Sequence, residues 1–272
     1  MILRMRTATW LATILASLTL VGCGQRSEGP SPGDSSTSPV QSSSSSSSPR
    51  ATAIDIALLP GEPMYTKALR ANSVLRESYP AGFQLGSDYR PHISIVQMFV
   101  PTTALPQVLA EVADVVHQAN PTEKQWKLLS NGMSPGPQFG DGISLPKYNV
   151  ATTPALARLQ ATLQSRLSKY NLGSGGADAF LVTPAEAENA AKSGQPAINP
   201  ASVNWVNTFA STASGPNYAP HVTLGAATNQ GYQTLTATVP FTNFTFPASS
   251  VAVCHLGNFD TCHAVLGQTV WK

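Results

Sequence analysis

From residue 51 onward the apolar positions switch between a two-residue repeat and a three-to-four-residue repeat, the signatures of strand and helix. Residues 53–59 are apolar and β-branched and end at Pro60-Gly61, which predicts a strand. Residues 64–79 predict a helix, stopped by Pro80, and residues 91–100 predict a second strand. Residues 105–118 predict a helix with Val108, Leu109, Val112, Val115 and Val116 on one side. Residues 124–129 predict a strand, residues 133–142 a Gly/Pro loop, and a short strand follows near Ile143. The clearest helix covers residues 154–171: Thr153 is placed to cap it, Pro154 takes its first position, and Gly173 lies near its stop. Leu156, Leu159, Leu163 and Leu167 form its apolar stripe. Residues 173–214 are less regular and hold two short helices. Strands are then predicted over 218–226, 239–246, 251–256 and 262–270. Helices interleaved with strands, ending in neighbouring strands, predict an α+β domain with antiparallel pairing.

The chain ahead of this domain has another pattern. Arg4 and Arg6 precede an apolar run over residues 8–21 that ends in small residues. That is the layout of a secretory signal, and the run is shorter than the roughly 20 apolar residues of a spanning helix. Residues 24–50 are Gly, Pro, Ser and little else, with unbroken serine over 42–48. Such a composition buries too little apolar surface to offset the entropy of ordering, which predicts a disordered spacer with roughly 30 Å of reach. Residues 51–272 have the length of one domain or of two closely packed lobes. They contain twelve Lys/Arg and twelve Asp/Glu, so the domain lacks the electrostatic footprint of a polyanion binder. Any nucleotide it handles is expected to be small, with no long nucleic acid as partner, and the domain is expected to be a monomer.

The apolar run ends Leu20-Val21-Gly22-Cys23, which resembles the lipobox of bacterial lipoproteins. The resemblance implies that residues 1–22 are removed and that Cys23 is lipidated. Residues 23–50 would then tether the domain to the periplasmic or outer face of a bacterial membrane. Several acyl chains on one residue anchor stably where a single chain binds marginally.

The most informative feature is a seven-residue pattern that occurs twice. Tyr89-Arg90-Pro91-His92-Ile93-Ser94-Ile95 and Tyr218-Ala219-Pro220-His221-Val222-Thr223-Leu224 both read Tyr-x-Pro-His-apolar-hydroxyl-apolar. For any one His, composition alone gives Tyr and Pro at those offsets a chance of roughly 0.002. In a strand, side chains alternate between faces. Ile93 and Ile95 therefore point to a core while His92 and Ser94 point together the other way, and Val222, Leu224, His221 and Thr223 repeat the arrangement. Two such strands facing each other would bring both His–hydroxyl pairs to one ligand.

This pair of motifs resembles the 2H phosphoesterase superfamily, also called 2′-5′ RNA ligase-like, whose signature is two His-x-(Ser/Thr)-x motifs with apolar flanks. The resemblance covers residues 51–272. It implies a bilobal, pseudo-two-fold α+β fold with antiparallel sheets lining a central cleft. It also implies that His92 and His221 are catalytic and that Ser94 and Thr223 bind the substrate phosphate. The chemistry is consistent with the residues themselves. Opening a 2′,3′-cyclic phosphodiester needs a base for water and an acid for the leaving oxygen, and an imidazole near pKa 6.5 serves either role. Hydroxyl donors stabilise the charge that develops on the phosphoryl oxygens. No cofactor is implied, and no cluster of carboxylates and His suggests a metal. The sequence does not distribute the roles of acid and base.

Where members that act on RNA often carry a basic residue after the second Thr, this chain continues Gly225-Ala226-Ala227. That argues against tRNA ligation and for a small cyclic nucleotide or another phosphodiester. Tyr89 and Tyr218 either line the cleft or pack in the core; Arg90 reads as an exposed loop residue, and His117 has no partner signal. Cys254-His255 and Cys262-His263 suggest zinc, but Cys254 and His255 leave opposite faces of one strand. Two cysteines of an exported domain on adjacent strands predict a Cys254–Cys262 disulfide instead. A function of another class fits the same fold: a catalytically silent, ligand-binding surface lipoprotein. The presence of all four motif residues favours the enzyme. The membrane address is tested by Cys23→Ser, which is expected to move the protein from the membrane fraction to the soluble exported fraction. Wild type already soluble outside the cell would defeat the anchor.

Overall fold

The computed structural model describes residues 50–119, 126–140 and 142–271. The signal segment 1–22, Cys23 and all of the spacer except Arg50 lie outside the described residues. The domain begins with β1 (Ala51–Pro60), α1 (Met64–Ser78), β2 (Ile93–Pro101) and α2 (Leu105–Gln118). It continues with β3 (Trp126–Ser134), β4 (Ile143–Ser144), β5 (Lys147–Val150), α3 (Pro154–Leu167), α4 (Pro184–Ser193) and α5 (Pro200–Thr212). It ends with β6 (His221–Thr223), β7 (Ala227–Thr228), α6 (Asn229–Thr238), β8 (Phe244–Leu256) and β9 (Cys262–Val270). The architecture is α+β and every strand pair is antiparallel. Among the described residues, no helix is long and apolar enough to cross a membrane.

Local chemistry starts the helices. α3, α4 and α5 each open with Pro, and Thr153, Thr183 and Asn199 cap them by accepting from the amides of Leu156, Glu186 and Ala201. Each cap satisfies an amide that the first helical turn leaves without a partner. The α3 stripe Leu156, Leu159, Leu163 and Leu167 is buried as its spacing predicts. On α1, Asn72 is buried and fully engaged. It donates to the carbonyls of Phe83 (3.2 Å) and Leu224 (2.8 Å) and accepts from the Leu85 amide (2.9 Å). That one side chain ties the helix to the strand end just past His221 and Thr223.

The main sheet runs β2-β1-β8-β3-β5-β6. Its hub is β8. Residues from Phe244 to Ala248 pair with β3; from Ala248 onward the strand pairs with β1, and β9 joins beside that second half. Three strands on each side of this junction place β2 and β6 at the two ends of the order. The ends do not diverge, since β6 packs near β2 and the Tyr218 hydroxyl donates to the Ser94 carbonyl at 3.2 Å. One face buries the main core against α1, α2 and α3. On the other, the irregular segment around α4 and α5 packs Phe180, Ile198 and Val206 onto Ala53, Phe99 and Leu256.

Four elements depart from the pattern-based expectation. Residues 239–246 and 251–256 are not two strands: β8 starts at Phe244 and runs unbroken to Leu256. Pairing partners along its whole length keep it extended across Pro247. The stretch 218–226 is extended as a ladder only over His221–Thr223, because Gly225 at φ 152° turns the chain away. β5 and α6 carry too few apolar positions to show in the sequence, and both are held by tertiary contacts.

Cys254 and Cys262 are bonded, with Cα atoms 5.1 Å apart, across the β8–β9 turn. That turn holds Phe259 and Asp260 at φ 59° and 55°, a left-handed pair that non-glycine residues seldom adopt. The amide of Arg90 also donates to the Cys262 carbonyl at 3.2 Å, so the covalent link braces the first motif. Reduction, or the Cys254→Ser/Cys262→Ser pair, is expected to lower stability by roughly 2–3 kcal/mol for so short a loop. A urea midpoint unchanged by reductant would count against this.

Candidate functional site

Each motif is built the same way. The residue before a proline is confined to extended backbone, so the direction of its carbonyl is set in advance. In both copies that carbonyl meets the imidazole two residues on. His92 Nδ1 lies 2.8 Å from Arg90 O, and His221 Nδ1 lies 2.8 Å from Ala219 O. A protonated Nδ1 donating there leaves Nε2 as the nitrogen that handles protons. Ile93, Ile95, Val222 and Leu224 are fully buried behind the motifs, while His92, Ser94, His221 and Thr223 are partly exposed.

The four motif side chains border one cavity of about 270 Å³. Trp205, Phe209 and Thr212 of α5, with Ala213 just after it, line the cavity together with Phe139, Leu145 and Phe259. Gly136 is required nearby: at φ 71° an added Cβ would lie 1.8 Å from Leu145 O. Tyr218 lines the cavity with its ring buried. Tyr89 does not line it. Its ring stacks on His263 at 4.6 Å between centroids, and its hydroxyl donates to Glu186. His263 Nε2 sits 3.2 Å from the same carboxylate, and His255 Nε2 lies 3.0 Å from Ala179 O. The two histidines beside the cysteines thus serve packing contacts in different places. Among the described residues no group of three or more His, Cys, Asp and Glu side chains is arranged to hold a metal ion.

Sequence reasoning missed four polar side chains of this site. Asp55 is fully buried in the middle of β1. Its Oδ2 accepts from Ser94 Oγ at 2.6 Å and Gln97 Nε2 at 3.2 Å, and lies 3.5 Å from His92 Nε2; its Oδ1 has no hydrogen-bond partner among the described residues. The signal was available, since Asp55 is the one acid in an otherwise apolar run. Gln97 was not visible. A bulge shifts the β1–β2 register between Ile56 and Ala57, so Gln97, rather than Val96, joins Ser94 on the cavity side. Lys147 lies opposite Thr223 on β5, far from either motif in sequence. Asp260 reaches the cavity from the disulfide-braced turn.

Burial dominates the electrostatics. It pushes the Asp55 carboxyl up to about 7, against the pull of Ser94 and Gln97. Burial raises Asp260 well above the usual carboxylate range, and the nearby Asp55 adds to the effect. Burial also lowers His92, and it takes His221 down to about 4 with help from the Lys147 ammonium and from His92. Burial thus pulls both imidazoles, both carboxyls and the Lys147 ammonium toward their uncharged forms.

Asp55 supplies a stability test. Its proton is held more tightly in the folded chain, so its contribution is fully present below about pH 3.8 and is lost as pH climbs to about 7. His221 acts in the opposite direction, losing stability as pH falls from 6.5 to about 4, so wild type must be compared with a variant. Asp55→Asn is expected to gain on wild type as pH rises from 4 to 8, by up to roughly 4 kcal/mol. Identical urea midpoints for the two chains across that range would show that Asp55 folds without this penalty.

No protein-family model matches the chain, and no curated protein matches it.

Proposed function

We propose that this domain is a metal-independent phosphodiesterase that hydrolyses a 2′,3′-cyclic or related small nucleotide phosphodiester, on a bilobal 2H phosphoesterase-like fold. The observation that carries the proposal is the pair of His–hydroxyl units in one cavity, each imidazole fixed by the same bond to a pre-proline carbonyl. Strand order supports the fold, with a motif strand at either end and β8 between the halves. Cavity volume supports a small ligand, near the lower end of ordinary ligand sites. Trp205 and Phe209 suit the face of a base.

Hydrolysis divides between the two imidazoles according to their neighbours. Lys147 disfavours a proton on His221, which suits it to be the base: Nε2 takes a proton from water as the oxygen attacks phosphorus. His92 lies 3.5 Å from Asp55, whose ionised form favours imidazolium, so His92 protonates the ribose oxygen as its bond to phosphorus breaks. Thr223 holds a nonbridging oxygen, and Ser94 holds another once its hydroxyl turns from Asp55 to the phosphoryl group. Burial by itself disfavours the protonated form of His92. The phosphoryl anion favours it, since an opposite charge within a few ångströms raises an imidazole pKa.

One observation favours a second reading, a ligand-binding lipoprotein without turnover: burial holds both imidazoles below their ordinary pKa. The full-length protein with 2′,3′-cyclic nucleotides in EDTA separates the two. Turnover is expected, and the alkaline limb of kcat should lie at higher pH than that of kcat/KM, because only the complex carries the phosphoryl charge. His92→Ala and His221→Ala should each cost about 10²–10⁴-fold, and the double variant far less than the product. Binding without turnover would support the silent reading. Unchanged turnover in His92→Ala would sink the catalytic one.

A further inference from the structure

The two halves of the site share a frame but not a charge. Thr223 of the second motif stands directly opposite Lys147 in the β5–β6 ladder, so the two side chains share a face. The matching position opposite Ser94 in the first half is Ala57. Tyr148 and Val222, the next pair along, are buried in the core, which fixes Lys147 and Thr223 to the cavity side. Lys147 lines the cavity, is partly buried, and has no ion-pair or hydrogen-bond partner among the described residues. A half-buried ammonium without a counterion is costly unless a ligand supplies one. The carboxyls at the cavity do not fill that role. Asp55 is occupied by Ser94 and Gln97 on the His92 side, and both it and Asp260 are pushed toward the neutral form by burial.

We propose that Lys147 binds a nonbridging oxygen of the phosphoryl group beside Thr223, making the second motif the anion-holding half of the site. The identity of the anion rests on the phosphodiesterase reading; the presence of an anion site does not. Lys147 performs the task expected of a basic residue following the second motif, but from the neighbouring strand. That is why residues 225–227 show no sign of it. Its ammonium also keeps the adjacent imidazole neutral and ready to accept a proton from water, while withdrawing electron density, through the bound oxygen, from the phosphorus that the water attacks.

The test uses the full-length protein, inorganic phosphate and a 2′,3′-cyclic nucleotide. Lys147→Met keeps the aliphatic stem that packs in the wall, and Lys147→Arg keeps the charge. Phosphate affinity by calorimetry is expected to fall roughly tenfold or more in Lys147→Met, as for the loss of a charged hydrogen bond, and to recover in part in Lys147→Arg. KM for the cyclic nucleotide should rise in parallel. A pH profile adds a readout that a merely structural lysine would not move. The titratable and charged neighbours of His221 are Lys147 on β5 and His92 ahead of β2, while Asp55 and Asp260 lie on the His92 side. Removing Lys147 takes away a like charge, so the acid limb of kcat/KM should shift to higher pH. If wild type turns over the nucleotide and Lys147→Met matches it in phosphate affinity, KM and acid limb, the Lys147 assignment is wrong and the phosphodiesterase reading stands. If wild type turns over nothing yet binds phosphate through Lys147, the anion site stands and the phosphodiesterase reading falls. Neither binding nor turnover in wild type overturns both.

Discussion

A carbonyl held in place by the proline that follows it, meeting an imidazole one residue farther on, is the bond on which the cavity depends. It occurs twice, at Arg90 and at Ala219, with the same 2.8 Å spacing. Each bond fixes a ring that would otherwise rotate about two side-chain torsions, and each selects which nitrogen faces away from the backbone. Around it the rest of the motif follows from alternation. Two apolar side chains anchor the strand in the core, and a hydroxyl stands next to the imidazole. The tyrosine that opens the pattern is the part not used alike. Tyr218 reaches across to the Ser94 carbonyl and joins the two ends of the sheet, whereas Tyr89 turns outward to His263 and Glu186.

What the sequence discloses and what it conceals divide along the range of the forces involved. Helix caps, apolar stripes and the alternation within each motif are short-range, and α2, α3 and β9 can be read from neighbouring residues. The Cys254–Cys262 link was legible for a similar reason, since a short turn joins two strands of clear pattern. The bulge at Ile56 is different, because it is set by how β2 docks on β1, and it alone brings Gln97 round to Ser94. Lys147 was hidden because its partner, Thr223, is brought to it only by sheet pairing. Asp55 lay in plain view, yet a lone acid in an apolar run acquires meaning only when the hydroxyl and the imidazole it serves are known to stand over it.

The repeated backbone carries unlike electrostatics. Beside the first motif lies a carboxyl so deeply buried that it gives up its proton only near neutrality; beside the second lies an ammonium with no partner among the described residues. Neither belongs to the seven-residue pattern. The likeness of the two motifs therefore accounts for where the imidazoles sit, and the flanking strands β1 and β5 account for how they differ. The repeated motif has in this way become directional, with a carboxyl at one end of the cavity and an ammonium at the other.

The position of β8 sets the order in which the chain can become a protein. β1 is the first strand to be made, and its second edge remains open until residues about 190 positions later arrive, as in the contact from Ser249 Oγ to Leu59 O. Closing so long a span costs entropy before any pairing is gained, and topologies rich in such distant contacts fold slowly. Both motifs are synthesised ahead of β8, so the histidines exist long before anything holds the two halves of the sheet together. Until then β1 and β3 present bare edges to any other extended chain, the hazard that unpaired strands carry. The last tenth of the sequence is thus what turns two exposed half-sheets into one closed surface, and truncation there should be felt as aggregation before it is felt as lost chemistry.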